Sequence, residues 1–421
     1  MSTAPPTETI VRSAPTYLIL GETDPNGFDG IRLNGTGFTF DEDPVTRLPI
    51  PTGGTVTNIR LFEDGEVVLR VSNLSRDDLP TLAQSFQKLG NAPTEADAIA
   101  ILQGASFKSL AAVSLTGSYG TDIFTGSNFD DYLDGDAGDD VLVGRDGDDT
   151  LIADVYDPSA FGTPGYDRLY GGNGDDRLVS YGGGDLMYGG AGNDVLSTAY
   201  DGGSRLYGGE GDDSIFDAST GYGYASVDRM YGGAGNDVIT SNEGPDRIFG
   251  GAGDDAIFLA SFEGGRADGG DGDDFISAAF SGDFVINGGA GNDRIAGDTG
   301  DDRINGGDGD DLIELSAGND LVRGGAGVDT FSFVGNEIFS LDDGHTVIRD
   351  FEVGVDVVMT ADVDQFLGGL VDTRRGALYT DDFGHTTLFR DVTAADVAGS
   401  VTGDSILLPP SGPIDIPEPV G

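Results

Sequence analysis

The clearest pattern in the chain is one large apolar residue that recurs at a fixed place between polar turns. Residues 117–332 repeat the unit Gly-Gly-x-Gly-x-Asp-x-apolar-x, and full copies of its first six positions recur every 18 or 19 residues, with one interval of 24. An apolar residue between polar neighbours has the period of a strand with one buried face. The pattern therefore predicts short strands with a shared core, built from the eighth positions Leu178, Leu196, Ile215, Ile239, Ile257, Ile276, Ile295, Ile313 and Phe331.

Residues 1–115 have the mixed pattern of an ordinary small domain. Alternating and apolar runs predict strands at Thr55–Phe62 and Glu66–Val71. Residues 79–89 carry leucine and phenylalanine at helical spacing, and Thr94 is placed to cap a second short helix. These features predict a mixed α/β fold and indicate no chemistry.

Composition narrows the function classes. The 421 residues include 71 Gly, 74 Asp plus Glu and 22 Lys plus Arg, for a formal net charge of −52. A surface this acidic disfavours nucleic acid and anionic membrane as partners. The chain has no Cys, which excludes disulfides and thiolate metal sites. The carboxylates would repel one another in a compact fold, so the composition requires either bound cations or disorder.

The repeat supplies oxygen ligands at regular intervals. Glycine at positions one, two and four permits a tight turn that directs carbonyl oxygens inward, and Asp at position six adds a carboxylate. Oxygen ligands suit Ca²⁺, whereas Zn²⁺ and copper prefer nitrogen or sulfur. The sequence therefore predicts multiple Ca²⁺ ions, with these candidate ligands: Asp122, Asp140, Asp149, Asp167, Asp176, Asp185, Asp194, Asp213, Asp237, Asp246, Asp255, Asp274, Asp293, Asp302, Asp311, Asp320 and Asp329.

This nonapeptide resembles the RTX, or haemolysin-type, calcium-binding repeat. The resemblance implies an all-β-dominated fold, in which two nonapeptides form one coil of a right-handed parallel β-roll over residues 117–332. It also implies that residues 333–406 form a β-rich cap and secretion region, with Val347–Met359 following the roll, and we expect residues 407–421 to be a flexible tail. As in RTX relatives, the protein would be secreted to the extracellular space by type I secretion machinery.

The start of the chain fits that route. Its first twenty residues lack a basic segment followed by a long apolar one, and no run approaches the length of a transmembrane helix. We therefore expect no membrane span and no N-terminal secretion signal.

Spacing predicts that the two edges of the roll differ. The full copies recur about every second nonapeptide, so their turns should stack on one edge, and degenerate half-repeats should occupy the other. On that second edge Ser204, Gly265 and Phe284 stand where Asp belongs. We therefore expect one continuous ligand column and one interrupted column.

Signatures of catalysis are missing from the sequence. The only histidines, His345 and His385, belong to no His-Glu-x-x-His motif, and no Gly-x-Ser-x-Gly elbow occurs. The primary expectation is therefore a non-enzymatic calcium-binding protein. The alternative is a carbohydrate-active enzyme or polysaccharide-binding adhesin that uses the roll as an accessory module, because a glycosidase or lyase in residues 1–115 would leave no local signature.

One further pattern bears on partners. Position seven of the half-repeats is often Arg and position nine aromatic, and both should face outward beside the buried eighth residue. Two interpretations remain open: a ladder that stabilises the coils, or a surface that binds an anionic polysaccharide or a cell surface. The residues concerned are Arg168, Tyr170, Arg205, Tyr207, Arg229, Tyr231, Arg247 and Phe249.

Overall fold

The computed structural model describes five strands between residues 12 and 72, and residues 114–403 apart from 119, 155–164, 200–201, 219–225, 334–343 and 382–384. The helices predicted at 79–89 and after Thr94, and the tail 407–421, lie outside the described residues. The chain divides into two compact units, Met1–Gly270 and Asp271–Gly421.

The first unit begins with an antiparallel meander. Its strands are β1 (Arg12–Ala14), β2 (Tyr17–Thr23), β3 (Phe28–Glu42), β4 (Pro49–Glu63) and β5 (Glu66–Ser72). Each pairs with the next, and both strands predicted from sequence fall within β4 and β5.

A parallel solenoid follows in the same unit. Its strands alternate between two sheets, with the even-numbered strands in the first sheet and the odd-numbered strands in the second. The first solenoid strand pairs antiparallel with β5 and parallel with the next strand of its own sheet. The strands are β6 (Ser114–Ser118), β7 (Ile123–Thr125), β8 (Tyr132–Asp136), β9 (Val141–Asp146), β10 (Thr150–Ile152), β11 (Arg168–Asn173), β12 (Arg177–Tyr181), β13 (Leu186–Ala191), β14 (Val195–Ala199), β15 (Arg205–Glu210), β16 (Ser214–Asp217), β17 (Arg229–Ala234), β18 (Val238–Asn242), β19 (Arg247–Ala252), β20 (Ala256–Ala260) and β21 (Gly265–Asp271).

The second unit has the same coil and then a cap. Its elements are β22 (Phe275–Ala279), β23 (Phe284–Ala290), β24 (Arg294–Ala296), β25 (Arg303–Asp308), β26 (Leu312–Glu314), β27 (Leu321–Ala326), β28 (Thr330–Ser332), β29 (His345–Ile348), β30 (Val357–Thr360), α1 (Val363–Gly369), β31 (Val371–Thr373), β32 (Gly376–Thr380), β33 (Thr386–Arg390), α2 (Ala394–Ala398) and β34 (Val401–Gly403). Strands β29 and β30 extend the two sheets in parallel, and they overlap the two ends of the segment Val347–Met359, which is predicted to follow the roll. The predicted parallel β-solenoid is confirmed, with about ten turns in all.

The core of each coil is one layer of apolar side chains. The eighth-position residues named above are all fully buried, with 0 % exposure. In the cap, Phe351 packs against Phe331 of the last coil at 5.9 Å between ring centroids and against Phe389 at 5.3 Å. The cap thereby covers apolar surface that a solenoid would otherwise leave open at its end.

Candidate metal centre

The turns that join the strands have too little room for any side chain at position one. In the turn Gly232–Asp237, a Cβ on Gly232 would collide with Oδ2 of Asp237 and lie 2.5 Å from the carbonyl oxygen of Gly250. Positions two and four, Gly233 and Gly235, have φ of 129° and 127°, where L residues are strained. Glycine is therefore required at position one for space and at positions two and four for conformation.

The position-six aspartates form a hydrogen-bonded ladder along the edge of the full copies. The backbone N–H of Asp213 donates to Oδ1 of Asp237 in the next coil at 2.7 Å, and Asp237 donates to Asp255 at 2.8 Å. We call this ladder the full column. In the first unit it comprises Asp131, Asp149, Asp176, Asp194, Asp213, Asp237 and Asp255, and in the second unit Asp274, Asp293, Asp311, Asp329 and Asp356.

The second carboxylate oxygen of this column is buried and, for many members, lacks a hydrogen-bond partner among the described residues. These are the Oδ2 atoms of Asp149, Asp176, Asp194, Asp213 and Asp237 in the first unit, and of Asp293 and Asp311 in the second. A buried carboxylate oxygen without a partner is costly unless a proton or a cation neutralises it.

The same burial shifts the acidity of these groups. Burial raises the pKa of Asp194 and Asp237 to about 7 and that of Asp149 to about 8, because desolvation disfavours the charged form and neighbouring Asp carboxylates add repulsion. A hydrogen bond from the preceding coil lowers each value in part. The carboxylates are thus held in a setting that favours a bound positive charge.

The donor set decides which ion fits. The cradle is lined by aspartate Oδ2 atoms and glycine carbonyl oxygens, and the chain contains no Cys. An all-oxygen cradle of carbonyls and carboxylates fits Ca²⁺. The family model for the RTX calcium-binding nonapeptide repeat matches residues 116–151, 161–196, 198–217, 222–260, 279–313, 287–322 and 306–332.

The array therefore consists of RTX calcium-binding repeats. The RTX β-roll is a non-catalytic calcium-binding fold. Comparison with curated proteins gives no match. Among the described residues, no helix is long and apolar enough to cross a membrane.

A second ladder lies on the outside of the same RTX turns and runs the opposite way. At position five, the N–H of Asp212 donates to Oδ1 of Asn193 in the previous coil, and the N–H of Asn236 donates to Asp212, both at 2.8 Å. These side chains are exposed. Asp and Asn alternate here, so the outer ladder requires an acceptor oxygen and not a charge.

The opposite edge of the RTX roll is interrupted. In the first unit its ladder runs through Asp122, Asp140, Asp167, Asp185, Ser204, Asp228 and Asp246. Ser204 keeps the hydrogen bond by accepting from the N–H of Asp185 at 2.9 Å, but it supplies no carboxylate. In the second unit Phe284 is fully buried at position six, followed by Asp302 and Asp320.

One cluster on this edge joins three carboxylates. Asp217, Asp228 and Asp246 are buried, and one oxygen from each lies within 4.8 Å of the others, a geometry that could hold a metal ion. Asp246 therefore belongs to a denser acidic cluster than the sequence indicates.

The nonapeptide template missed three ladder residues. Asp131, Asp228 and Asp356 occupy position six although their sequences keep only one of the three glycines of the full motif. Each precedes a buried residue by two positions, as in Asp228-Arg-Met230. A search for Asp-x-apolar alone would have found them.

The outward stripe predicted from positions seven and nine is present as a stack of rings. Tyr188, Tyr207 and Tyr231 have centroids 4.7 Å apart and planes within 10° of parallel, and Tyr170 and Phe249 extend the stack at 5.4 and 5.0 Å. The faces of the inner rings are therefore covered by their neighbours. The stack has the geometry that the ladder interpretation predicts, and it leaves the edges of the inner rings, not their faces, accessible to a partner.

Proposed function

We propose that this protein leaves the cell unfolded and folds outside it when Ca²⁺ binds in the turns of the RTX roll. The observation that carries the proposal is the row of buried Oδ2 atoms, from Asp149 to Asp237, without a hydrogen-bond partner among the described residues. The position-six aspartates would hold the ions together with glycine carbonyl oxygens. Bound Ca²⁺ would neutralise carboxylates that otherwise oppose the stacking of coils.

The free energy of metal binding would then be free energy of folding. Extracellular calcium modules bind with dissociation constants of about 10⁻⁴ to 10⁻³ M, far above cytosolic calcium. The chain would remain unfolded before export, which suits passage through a type I channel, and would fold on reaching millimolar Ca²⁺.

Circular dichroism of the full chain tests the folding step. In EGTA the far-ultraviolet spectrum should show little β signal, and titration to millimolar Ca²⁺ should produce it, while the same concentration of Mg²⁺ should not. Mg²⁺ is the matched control because it demands a smaller, octahedral site. A roll that is fully folded in EGTA would overturn the proposal.

A secretion assay tests the export step separately. In a host with a type I system, a chain lacking residues 361–421 should stay inside the cell, and a chain lacking residues 1–72 should still reach the medium. Retention of both truncated chains, or cleavage of an N-terminal segment during export, would contradict type I release and leave calcium-induced folding untouched.

A further inference from the structure

Four arginines stand in line on consecutive coils of the first unit. Arg205 is directly opposite Arg229, and Arg229 is directly opposite Arg247, in the parallel register of β15, β17 and β19. Arg266 follows at the same position, since its N–H donates to the carbonyl of Asp246 as that of Arg247 does to Asp228. We call Arg205, Arg229, Arg247 and Arg266 the arginine row.

No described carboxylate neutralises this row. Among the residues that the structure describes, the ion pairs within 4.0 Å involve Arg294, His385 and Arg390, and none involves a member of the row. Like charges directly opposite on neighbouring strands destabilise a sheet. The arrangement therefore has a cost in stability that the ring stack alone does not explain, because an uncharged residue at position seven would leave the stack in place, as Leu186 does beside Tyr188.

The turns beside the row have no acidic residue at position five, although Glu243 and Glu263 lie earlier in two of them. At position five the adjoining turns carry Gly203, Val227, Pro245 and Gly264, whereas the turns of the full column in the first unit carry Asp or Asn there. Two of the four adjoining position-six residues are also uncharged, Ser204 and Gly265. In a chain of net charge −52, Arg205, Arg229 and Arg247 form a local basic line, and at its end Asp268 faces outward two residues after Arg266.

The spacing of the line restricts its partner. Neighbouring coils are 4.7 Å apart as measured by the rings of Tyr207 and Tyr231. A linear polyuronate has one carboxylate on each sugar unit, and the length of a sugar unit is close to this spacing. A guanidinium binds a carboxylate through two parallel hydrogen bonds. A DNA duplex is too wide for a single line of arginines, and its phosphates would face the acidic turns of the full column.

We infer that the arginine row is a binding surface for a linear polyuronate that lies along the roll, with one carboxylate over each coil. The sugar would contact the guanidinium groups and the exposed edges of the stacked tyrosines, not their covered faces. This inference goes beyond calcium-induced folding, and the fold must be in place first.

Calorimetric titration with an oligogalacturonate tests it, in excess Ca²⁺ so that the roll is folded. An oligomer of about six sugars spans the four coils at ~4.8 Å each and is too short to form a calcium gel. It should bind the wild-type protein, weaken as salt is added, and bind far more tightly than a dimer. A neutral maltooligosaccharide of the same length should not bind.

Variants locate the surface. Arg205→Gln, Arg229→Gln and Arg247→Gln together should weaken binding at least about tenfold, as expected for losing three exposed charge pairs. The matched control, Arg177→Gln, Arg374→Gln and Arg375→Gln, removes the same charge from the first sheet and from the turn between β31 and β32, and it should bind like the wild type. Equal weakening in both variants would overturn the assignment of the surface.

Folding is monitored in the same samples by the calcium midpoint from circular dichroism. A row variant that folds normally and keeps full affinity overturns the inference while leaving calcium-induced folding intact. If the row variant does not fold, binding by the wild-type protein still tests the inference. Equal affinity for the oligogalacturonate hexamer, its dimer and the maltooligosaccharide would overturn the inference, and so would stronger binding to duplex DNA.

Discussion

Asp213 donates its backbone N–H to Oδ1 of Asp237 in the next coil at 2.7 Å. Its chain neighbour Asp212 donates in the opposite direction, to Asn193 of the previous coil at 2.8 Å. Each turn is thus tied to both neighbours by consecutive residues, one buried and one exposed. Both ladders use a side-chain Oδ1 atom as the acceptor. Only in the buried ladder does the side chain also direct a second carboxylate oxygen into the turn.

This difference predicts opposite effects of one chemical change at adjacent positions. Asp213→Asn keeps an acceptor oxygen but removes the charge from the buried cradle, so the calcium midpoint should rise several-fold. Asp212→Asn should leave the midpoint nearly unchanged, because Asn already occupies that position in the neighbouring coils. Calcium titrations followed by circular dichroism measure both, and equal shifts would contradict the assignment of Asp213 as a ligand.

The lack of room for a side chain at position one leads to a second prediction. Gly232→Ala should lower the free energy of unfolding in Ca²⁺ by about 1–3 kcal/mol, as other overpacked sites do, because the added methyl would occupy the cradle beside Asp237. Gly368→Ala is the control, since a Cβ there meets nothing within 4 Å. Urea unfolding in saturating Ca²⁺ compares the two, and an unaffected Gly232→Ala protein would show that the cradle is not needed.

Much of this geometry follows from the sequence because each nine-residue repeat specifies two things: its glycines specify the turn conformation, and its eighth position specifies the buried side chain. The buried eighth positions were predictable from spacing, and the stacking of the full copies on one edge was predictable from spacing together with the two-repeat coil that the RTX resemblance implies. The role of Asp228 was not, since the 24-residue interval disguises its register. The covered faces of the tyrosines depend on side-chain rotamers, which alternation along a strand does not specify.

The three-carboxylate cluster was also beyond the sequence. Asp217 and Asp228 lie on either side of the insertion in the 24-residue interval, and only folding brings them to Asp246. The degenerate half-repeat around Asp246 predicts a weak ligand, whereas its two carboxylate neighbours predict a larger effect. Asp246→Asn should therefore raise the calcium midpoint more than Asp302→Asn, for which no such cluster occurs among the described residues. Titration of both variants measures the difference, and a smaller effect at Asp246 would argue against ion binding by the cluster.

The ring stack predicts a stability effect that is independent of calcium affinity. Tyr207 stacks on Tyr188 and Tyr231 at 4.7 Å each, so Tyr207→Ala should lower the free energy of unfolding in saturating Ca²⁺ by about 1–3 kcal/mol. Tyr207→Phe keeps both contacts and should be nearly neutral, as the natural Phe249 indicates. Thermal unfolding distinguishes the variants, and equal losses for Ala and Phe would assign the effect to the hydroxyl instead.

The raised pKa values of the buried aspartates predict that protons can partly replace calcium. Burial and repulsion from neighbouring carboxylates raise the pKa of Asp149 to about 8 and of Asp194 and Asp237 to about 7, whereas the ordinary value is 3.8. Without metal, the folded roll therefore binds more protons than the unfolded chain at intermediate pH. The resulting stability is fully present below about 3.8 and is lost as pH rises through the interval from about 6 to 8.

In EGTA, the β signal should accordingly be larger near pH 5 than near pH 8, and Ca²⁺ should restore it at the higher pH. Asp213→Asn provides the internal check, because Asn does not titrate and removes one of the groups whose pKa is raised, here to about 6. Its metal-free signal should depend less on pH than that of the wild type. A β signal in EGTA that is constant across this interval, or larger at the higher pH, would mean that the position-six carboxylates do not oppose folding in the absence of calcium.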